Sequence, residues 1–444
     1  MNKIILLVAV MATSITAFSQ TTLDSNNKWS YHFQLTAINQ THSSFKAKYS
    51  GDNSLSNEVE KRKLSLTSTL FVGRKLWKNG ALYFNPEITG GSGISSAKGI
   101  AGFTNGETFR IGSTEPVLYI ARLFVRQHIA LKNTAYEVVA SGVNQVEEKI
   151  PSSRITITAG KFGLSDMFDN NYYSHDPRSQ FMNWALMSNG AWDYPADTRG
   201  YTQGFVAELI QPAYALRFSS VLVPRKANGL KLDYKITKAH SETLEVEKIF
   251  KTKHPAKIRI LAFRTMSQAP TYNTTLTNVK AGDSSSIKVY TGEMEWKKYG
   301  GIKYGLGINA EKEFSNTIGA FLKTSWNDGK TATWAFTEID RSFSTGININ
   351  GNSWKRPNDI IGLAQVINGI SNDHKAFLNV GLYGFIIGDG KLNYGGEAIT
   401  EIYYKAKIAN SFFISADYQF VNNPAYNKDR GPVHVFAIRG HVEF

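Results

Sequence analysis

Charged side chains recur at every second position of otherwise apolar segments, and these are the residues of this chain best placed to do chemistry. Glu87 shares a face with Tyr83 and Asn85, opposite Leu82, Phe84 and Ile88. Arg122 and Arg126 lie four apart, so on an extended chain both point the same way, about two pleats from each other. In that segment Val117, Tyr119, Ala121, Leu123, Val125 and Ile129 read as the opposite face. Glu208 opposes Phe205, Ala207 and Leu209, and Arg217 opposes Tyr214, Leu216, Phe218 and Leu222. Carboxylates and guanidinium groups arrayed on a wall can exchange charge-assisted hydrogen bonds with a passing polar molecule. They can equally brace the wall through ion pairs. The spacing leaves both readings open.

A second group lies between Leu164 and Gly200, a stretch too long for a turn and too rich in sequence for a plain linker. Trp184 and Trp192 are candidate stacking faces there, with Arg178, Asp193 and Arg199 as polar neighbours. The other reading of the two indoles is an aromatic mini-core that stiffens the loop. Phe181–Met187 reads as a short helix following the turn opened by Asp176-Pro177.

Catalytic and metal readings do poorly. His175-Asp176 resembles an acid–base pair but has no identifiable nucleophile or third partner. Asp166, Asp169 and Asp176 are oxygen donors of the kind calcium takes, yet their spacing matches no recognised loop. Gly90-Gly91-Ser92-Gly93 lacks the lysine and following helix of a phosphate cradle. With no cysteine anywhere, thiolate zinc sites, iron–sulfur clusters and disulfides are excluded. We therefore expect neither an enzyme, nor a metal site, nor a cofactor.

Strands are the elements that must position these groups. Ser411–Val421 alternates most clearly, with Phe412, Ile414, Ala416, Tyr418 and Phe420 on one face. Similar segments lie near 28–38, 62–72, 154–162, 256–265, 302–312, 314–326, 359–367, 377–387 and 397–408. The final segment, Val433–Phe444, places Phe436, Ile438 and Val442 against Arg439, His441 and Glu443 and ends on an aromatic residue. At the other terminus Lys3, the apolar Ile4–Val10 and Ala17-Phe18-Ser19 form a secretory signal over residues 1–19, so the mature chain should begin at Gln20. No later stretch reaches the roughly 18 continuous apolar residues of a helical span. Export without a helical anchor, joined to strands apolar on one side and polar on the other, implies a transmembrane antiparallel β-barrel. The even-number rule turns the count of strand candidates into about 16, all in one domain over residues 20–444. A cylinder of that width leaves a wet bore, into which the 164–200 insertion is expected to fold and narrow it. An extracellular loop packed on its own aromatics is the alternative. The net charge of +14 then belongs to a channel lining or to contact with anionic lipid headgroups, not to nucleic acid.

At the insertion the chain resembles the carbohydrate-selective porin family typified by OprB. The resemblance rests on Gly160-Lys161-Phe162, Phe168-Asp169-Asn170-Asn171, His175-Asp176-Pro177-Arg178, Phe181-Met182-Asn183-Trp184 and Tyr194–Tyr201. A second block holds Arg356-Pro357-Asn358-Asp359, Gly388-Asp389-Gly390, Glu397, Glu401, Tyr403-Tyr404, Asp417-Tyr418-Gln419, Asn423-Pro424 and Gly431-Pro432-Val433. Tyr83–Glu87 and Ala121–Gln127 are also similar, while residues 225–300 match nothing in the pattern. The resemblance implies a 16-stranded outer-membrane porin that admits monosaccharides and similar small solutes. Other relatives are assigned different cargo, including divalent manganese.

Overall fold

A strand immersed in lipid must satisfy every backbone N–H and C=O through its neighbours, and only a closed cylinder does so without leaving an edge. The computed structural model describes residues 28–108 and 114–444. Sixteen antiparallel strands close into one barrel. They are β1 (Trp29–His42), β2 (Glu60–Trp77), β3 (Gly80–Gly91) and β4 (Val117–Ala130). After a separate small hairpin, β5 (Tyr136–Val139) with β6 (Glu148–Pro151), come β7 (Arg154–Phe162), β8 (Thr202–Gln211) and β9 (Tyr214–Val221). The rest are β10 (His240–Phe250), β11 (Ala256–Ser267), β12 (Gly301–Glu313), β13 (Ile318–Asn327) and β14 (Arg341–Gly351). The last four are β15 (Arg356–Gly369), β16 (Glu397–Ala409), β17 (Phe412–Asn422) and β18 (Val433–Glu443). The expected signal segment, residues 1–19, lies outside the described residues.

β18 pairs with β1 to close the cylinder. Phe444 and Phe33 exchange backbone hydrogen bonds of 2.8 and 3.0 Å, with ring centroids 5.3 Å apart. The alternation behaves as lipid outside and water inside require. On β12, Ile302, Tyr304, Leu306 and Ile308 are exposed while Lys303, Asn309 and Glu311 are buried inward. On β18, Phe436 and Ile438 face out while Arg439 and His441 face in.

Connections at one end are short, such as 78–79, 212–213, 314–317 and 410–411, apart from 131–153 with its small hairpin, whereas those at the other include 92–116, 163–201, 268–300 and 370–396. Short turns mark the periplasmic end and long loops the extracellular one. Exposed Trp29, Trp77, Tyr214, Phe250, Phe314 and Phe444 lie near the short-turn end, where such rings form an interfacial girdle.

Three local expectations need correction. First, the pairing of β3 with β4 slips between Asn85 and Pro86, so Asn85 faces Arg122 but Pro86 faces Ile120. Ala121 is the extra residue of a bulge, on a strand partner where proline cannot donate to the ladder. Tyr119 therefore points inward with Arg122, not outward with Leu123. Second, residues 377–387 are not a strand. They finish a helix, Asn372–Asn379, and continue into an extracellular loop whose Phe385, Ile386 and Ile387 are buried. Third, the strand expected over 314–326 begins only at Ile318, while β10 and β14 were not among the expected segments.

Candidate functional site

The 163–201 connection between β7 and β8 lies inside the barrel, gripped through its backbone by inward-facing polar side chains of the opposite wall. Glu245 on β10 accepts from the Asp169 amide at 2.7 Å, and Glu311 on β12 accepts from that of Tyr172 at 2.7 Å. Lys323 on β13, almost fully buried, donates to the carbonyls of Ser174, Leu186 and Met187 at 2.7, 3.2 and 3.1 Å. It thereby caps the short helix Trp184–Met187, where cations are favoured. Glu401 on β16 takes the amides of Met182 and Asn183 at 2.5 and 3.0 Å. Arg439 on β18 donates to the carbonyls of Pro177 and Gln180 at 2.8 and 2.7 Å. Non-helical backbone is tolerated at this depth because these backbone groups find such partners.

Residues 92–108 join from the extracellular side. Glu397 on β16 accepts from Ala101 and Gly102 at 2.9 and 2.7 Å, and the Trp184 amide donates to Phe103 at 3.0 Å. Between this filling and the near wall of β1–β4 and β7 remains a cavity of about 550 Å³. Glu87, Glu107, Asp166, Asp176 and Glu443 line it against Arg122, Arg126, Arg178 and Arg199. Two of these arginines pair with three of the carboxylates. Arg122 binds Asp166 through two bonds of 2.6 Å, the bidentate form that fixes direction as well as energy. Arg178 bridges Glu107 at 2.7 Å and Glu87 at 3.3 Å. Glu87 also accepts from Thr69, Tyr119 and Tyr201 at 2.5, 2.6 and 2.7 Å. Arg199 sits 4.1 Å over the Tyr119 ring and Arg122 5.1 Å over that of Tyr201, contacts of cation–π type.

Of the residues singled out from sequence, Glu87, Arg122, Arg126, Arg178, Arg199 and Trp184 border this one cavity. Arg126 is tied to the β5–β6 hairpin by a 3.0 Å bond to the Asn144 carbonyl. Glu208 and Arg217 lie elsewhere, in an ion-pair ladder on the inner wall. Arg217 contacts Glu208, Glu245 and Glu247 at 3.1, 2.9 and 3.4 Å, and Arg259 continues it to Glu247 and Glu311. That is the bracing geometry. Trp192 is fully buried against Phe168 and Tyr194 and offers no free face. Trp184, at 2 % exposure, stacks on Phe103 and Tyr194. The indoles therefore form the mini-core. Asp193 accepts from the amides of Trp334 and Phe336, each at 2.8 Å, and so anchors the 328–340 loop. Sequence reasoning missed Glu107, Tyr119 and Tyr201 as site residues and named Asp166 only as a metal donor. Glu107 sits in an aperiodic loop, and the bulge hid Tyr119.

These features were compared with known proteins. The model of the carbohydrate-selective porin OprB family matches residues 72–444. OprB of Pseudomonas putida, in its high-pH structure, is 16 % identical, with a TM-score of 0.64 over 96 % of this chain and 100 % of that one. The outer membrane channel DcaP of Acinetobacter baumannii is 10 % identical, with a TM-score of 0.50 over 96 % and 100 %. No curated protein matches. The chain belongs to the OprB family of carbohydrate-selective porins, outer-membrane β-barrels that act as channels and not as enzymes.

Proposed function

We propose that the chain admits monosaccharides and similar small neutral solutes by passive diffusion, selecting them where the inserted segment narrows the bore against β2–β4. The observation that carries this reading is the mixed charge around the cavity, where Arg122 and Arg178 are paired with Asp166, Glu107 and Glu87. A solute must be recognised well enough to enter and held weakly enough to leave. Arginines and carboxylates already satisfied by one another can lend hydrogen bonds to sugar hydroxyls, replacing shed water, without a deep well at any point. Opposite charges within a few ångströms also cancel at longer range, so a neutral molecule meets little net field. In this arrangement Glu87 serves as acceptor and Arg122 as donor, with Tyr119 and Tyr201 holding the pair in place.

A channel for a divalent cation such as manganese is the competing reading, and it calls for a lining dominated by carboxylates. The mixed lining supports the neutral solute. Liposomes carrying the purified protein are expected to swell faster in isosmotic glucose than in an equally small charged solute. Equal rates would remove the selectivity claim.

A further inference from the structure

Beneath the inserted segment, on the short-turn side, lies a second cavity of about 480 Å³. Residues 170–180 roof it, and the turn between β12 and β13 floors it. His175 and Asp176 border both this space and the upper cavity, so the two adjoin at the pair that sequence reading singled out without assigning a role. The lining is built unlike the rest of the wall. Tyr172 is 75 % exposed although its amide is fixed on Glu311, and its ring meets Tyr173 edge-on at 5.1 Å. Tyr173 in turn lies over Gly319, where a Cβ would collide with its ring. Asn348 donates to the Tyr403 hydroxyl at 3.0 Å and to the Tyr173 carbonyl at 3.3 Å. Its Oδ1 and the Nδ1 of His175 are buried with no hydrogen-bond partner. Buried polar atoms left unpaired cost free energy unless something fills them.

We propose that this lower chamber is a second binding station, for a pyranose or a similar polyol. A free tyrosine face beside unpaired polar atoms suits a molecule with an apolar C–H surface rimmed by hydroxyls. Tyr172 is the stacking platform, and the side chains of Asn348 and His175, which line the chamber, are the polar partners. The two cavities adjoin at His175-Asp176, where a solute can pass from one to the other. The assignment rests on the solute reading above.

The chain has no cysteine, so Asn316→Cys, on the rim of the chamber, can carry a single environment-sensitive dye. Glucose titrated into this labelled protein should give a saturable fluorescence change. Tyr172→Ala should weaken it roughly fivefold, while Tyr172→Phe holds it within about twofold. Tyr172→Leu keeps the bulk without the aromatic face and serves should the alanine variant fail to fold; it too should weaken binding. A labelled protein with no saturable change, or one indifferent to loss of the ring, overturns the proposal. Liposome swelling on the same preparations separates the two claims. Glucose entry without a fluorescence response sinks the chamber and leaves the channel reading, whereas absence of entry sinks that reading as well.

Discussion

Arg122 shows how much a single side chain can decide. Its two bonds to Asp166 tie the wall to the inserted segment, and its guanidinium plane covers Tyr201, which holds Glu87. Arg122→Ala frees Asp166 and deepens the acidic excess of the cavity, leaving three arginines against five carboxylates. A charge-assisted hydrogen bond is worth roughly 1.5–3 kcal/mol, so the preference for glucose over a small cation should fall about tenfold or more. Heat-stability of the barrel on gels should not move, because Arg122 takes no part in the ladder around Arg217 and Arg259. Unchanged discrimination in swelling assays would move Arg122 to a bracing role. Arg122→Lys should fall between, since an ammonium cannot reproduce the bidentate fork. Of these relationships the sequence carried only the side on which Arg122 points. Its partner, Asp166, lies 44 residues away on an aperiodic segment, and nothing local in a chain signals a pairing of that kind.

At the level of elements, the inserted segment is held by side chains of strands remote from it in sequence. Lys323→Met would leave the Ser174 and Met187 carbonyls without their donor and the Leu186 carbonyl with the Ser174 hydroxyl alone, at roughly 1–3 kcal/mol for each that stays dry. The segment should loosen while the barrel persists, which would register as noisier single-channel current and faster protease nicking near Ser174. A quiet trace identical to wild type would show that Glu401 and Arg439 suffice. The extracellular loops carry a comparable latch. Glu338 accepts from the amides of Ile386 and Ile387 at 3.0 and 2.9 Å. Burial pushes its carboxyl up to about 7, against the pull of His374 and those amides. A carboxyl whose folded value is raised binds its proton more tightly when docked, so its contribution is full near pH 4 and is lost as pH rises through about 7. The swing is on the order of 3 kcal/mol. Protection factors of the Ile386 and Ile387 amides, corrected for the intrinsic pH dependence of exchange, should therefore be higher at pH 5 than at pH 8, and Glu338→Gln should flatten the difference. How legible each element was follows from the same physics. Segments with an apolar lipid face and a plain polar face, such as β17 and β18, announce themselves by alternation. β10 was missed because Glu245 and Glu247 fill its inner face while Glu242 and Lys248 interrupt Leu244, Val246 and Phe250 on its outer one. Residues 377–387 misled because their apolar run packs under loops and not against lipid. The bulge at Ala121 reverses phase within one strand, which a fixed period of two cannot represent.

Across the whole molecule, the charge that composition reports and the charge a solute meets sit in different places. The chain carries a net +14, yet its upper cavity sets four arginines against five carboxylates. One extracellular loop is locally basic: residues 222–239 hold Arg225, Lys226, Lys231, Lys235 and Lys238 against Asp233 alone. Charges at the mouth act over the Debye length, about 10 Å at 0.1 M salt and about 3 Å at 1 M, whereas paired charges at the narrowing are screened far less. Reversal potentials in KCl gradients should therefore show weak anion preference at low salt that fades toward none at 1 M. Replacing Lys231, Lys235 and Lys238 together by Gln should remove the low-salt preference without altering glucose entry. Strong cation selectivity persisting at every salt would mean that the five carboxylates govern the bore after all, and the balance of argument would pass from a neutral sugar to a divalent ion.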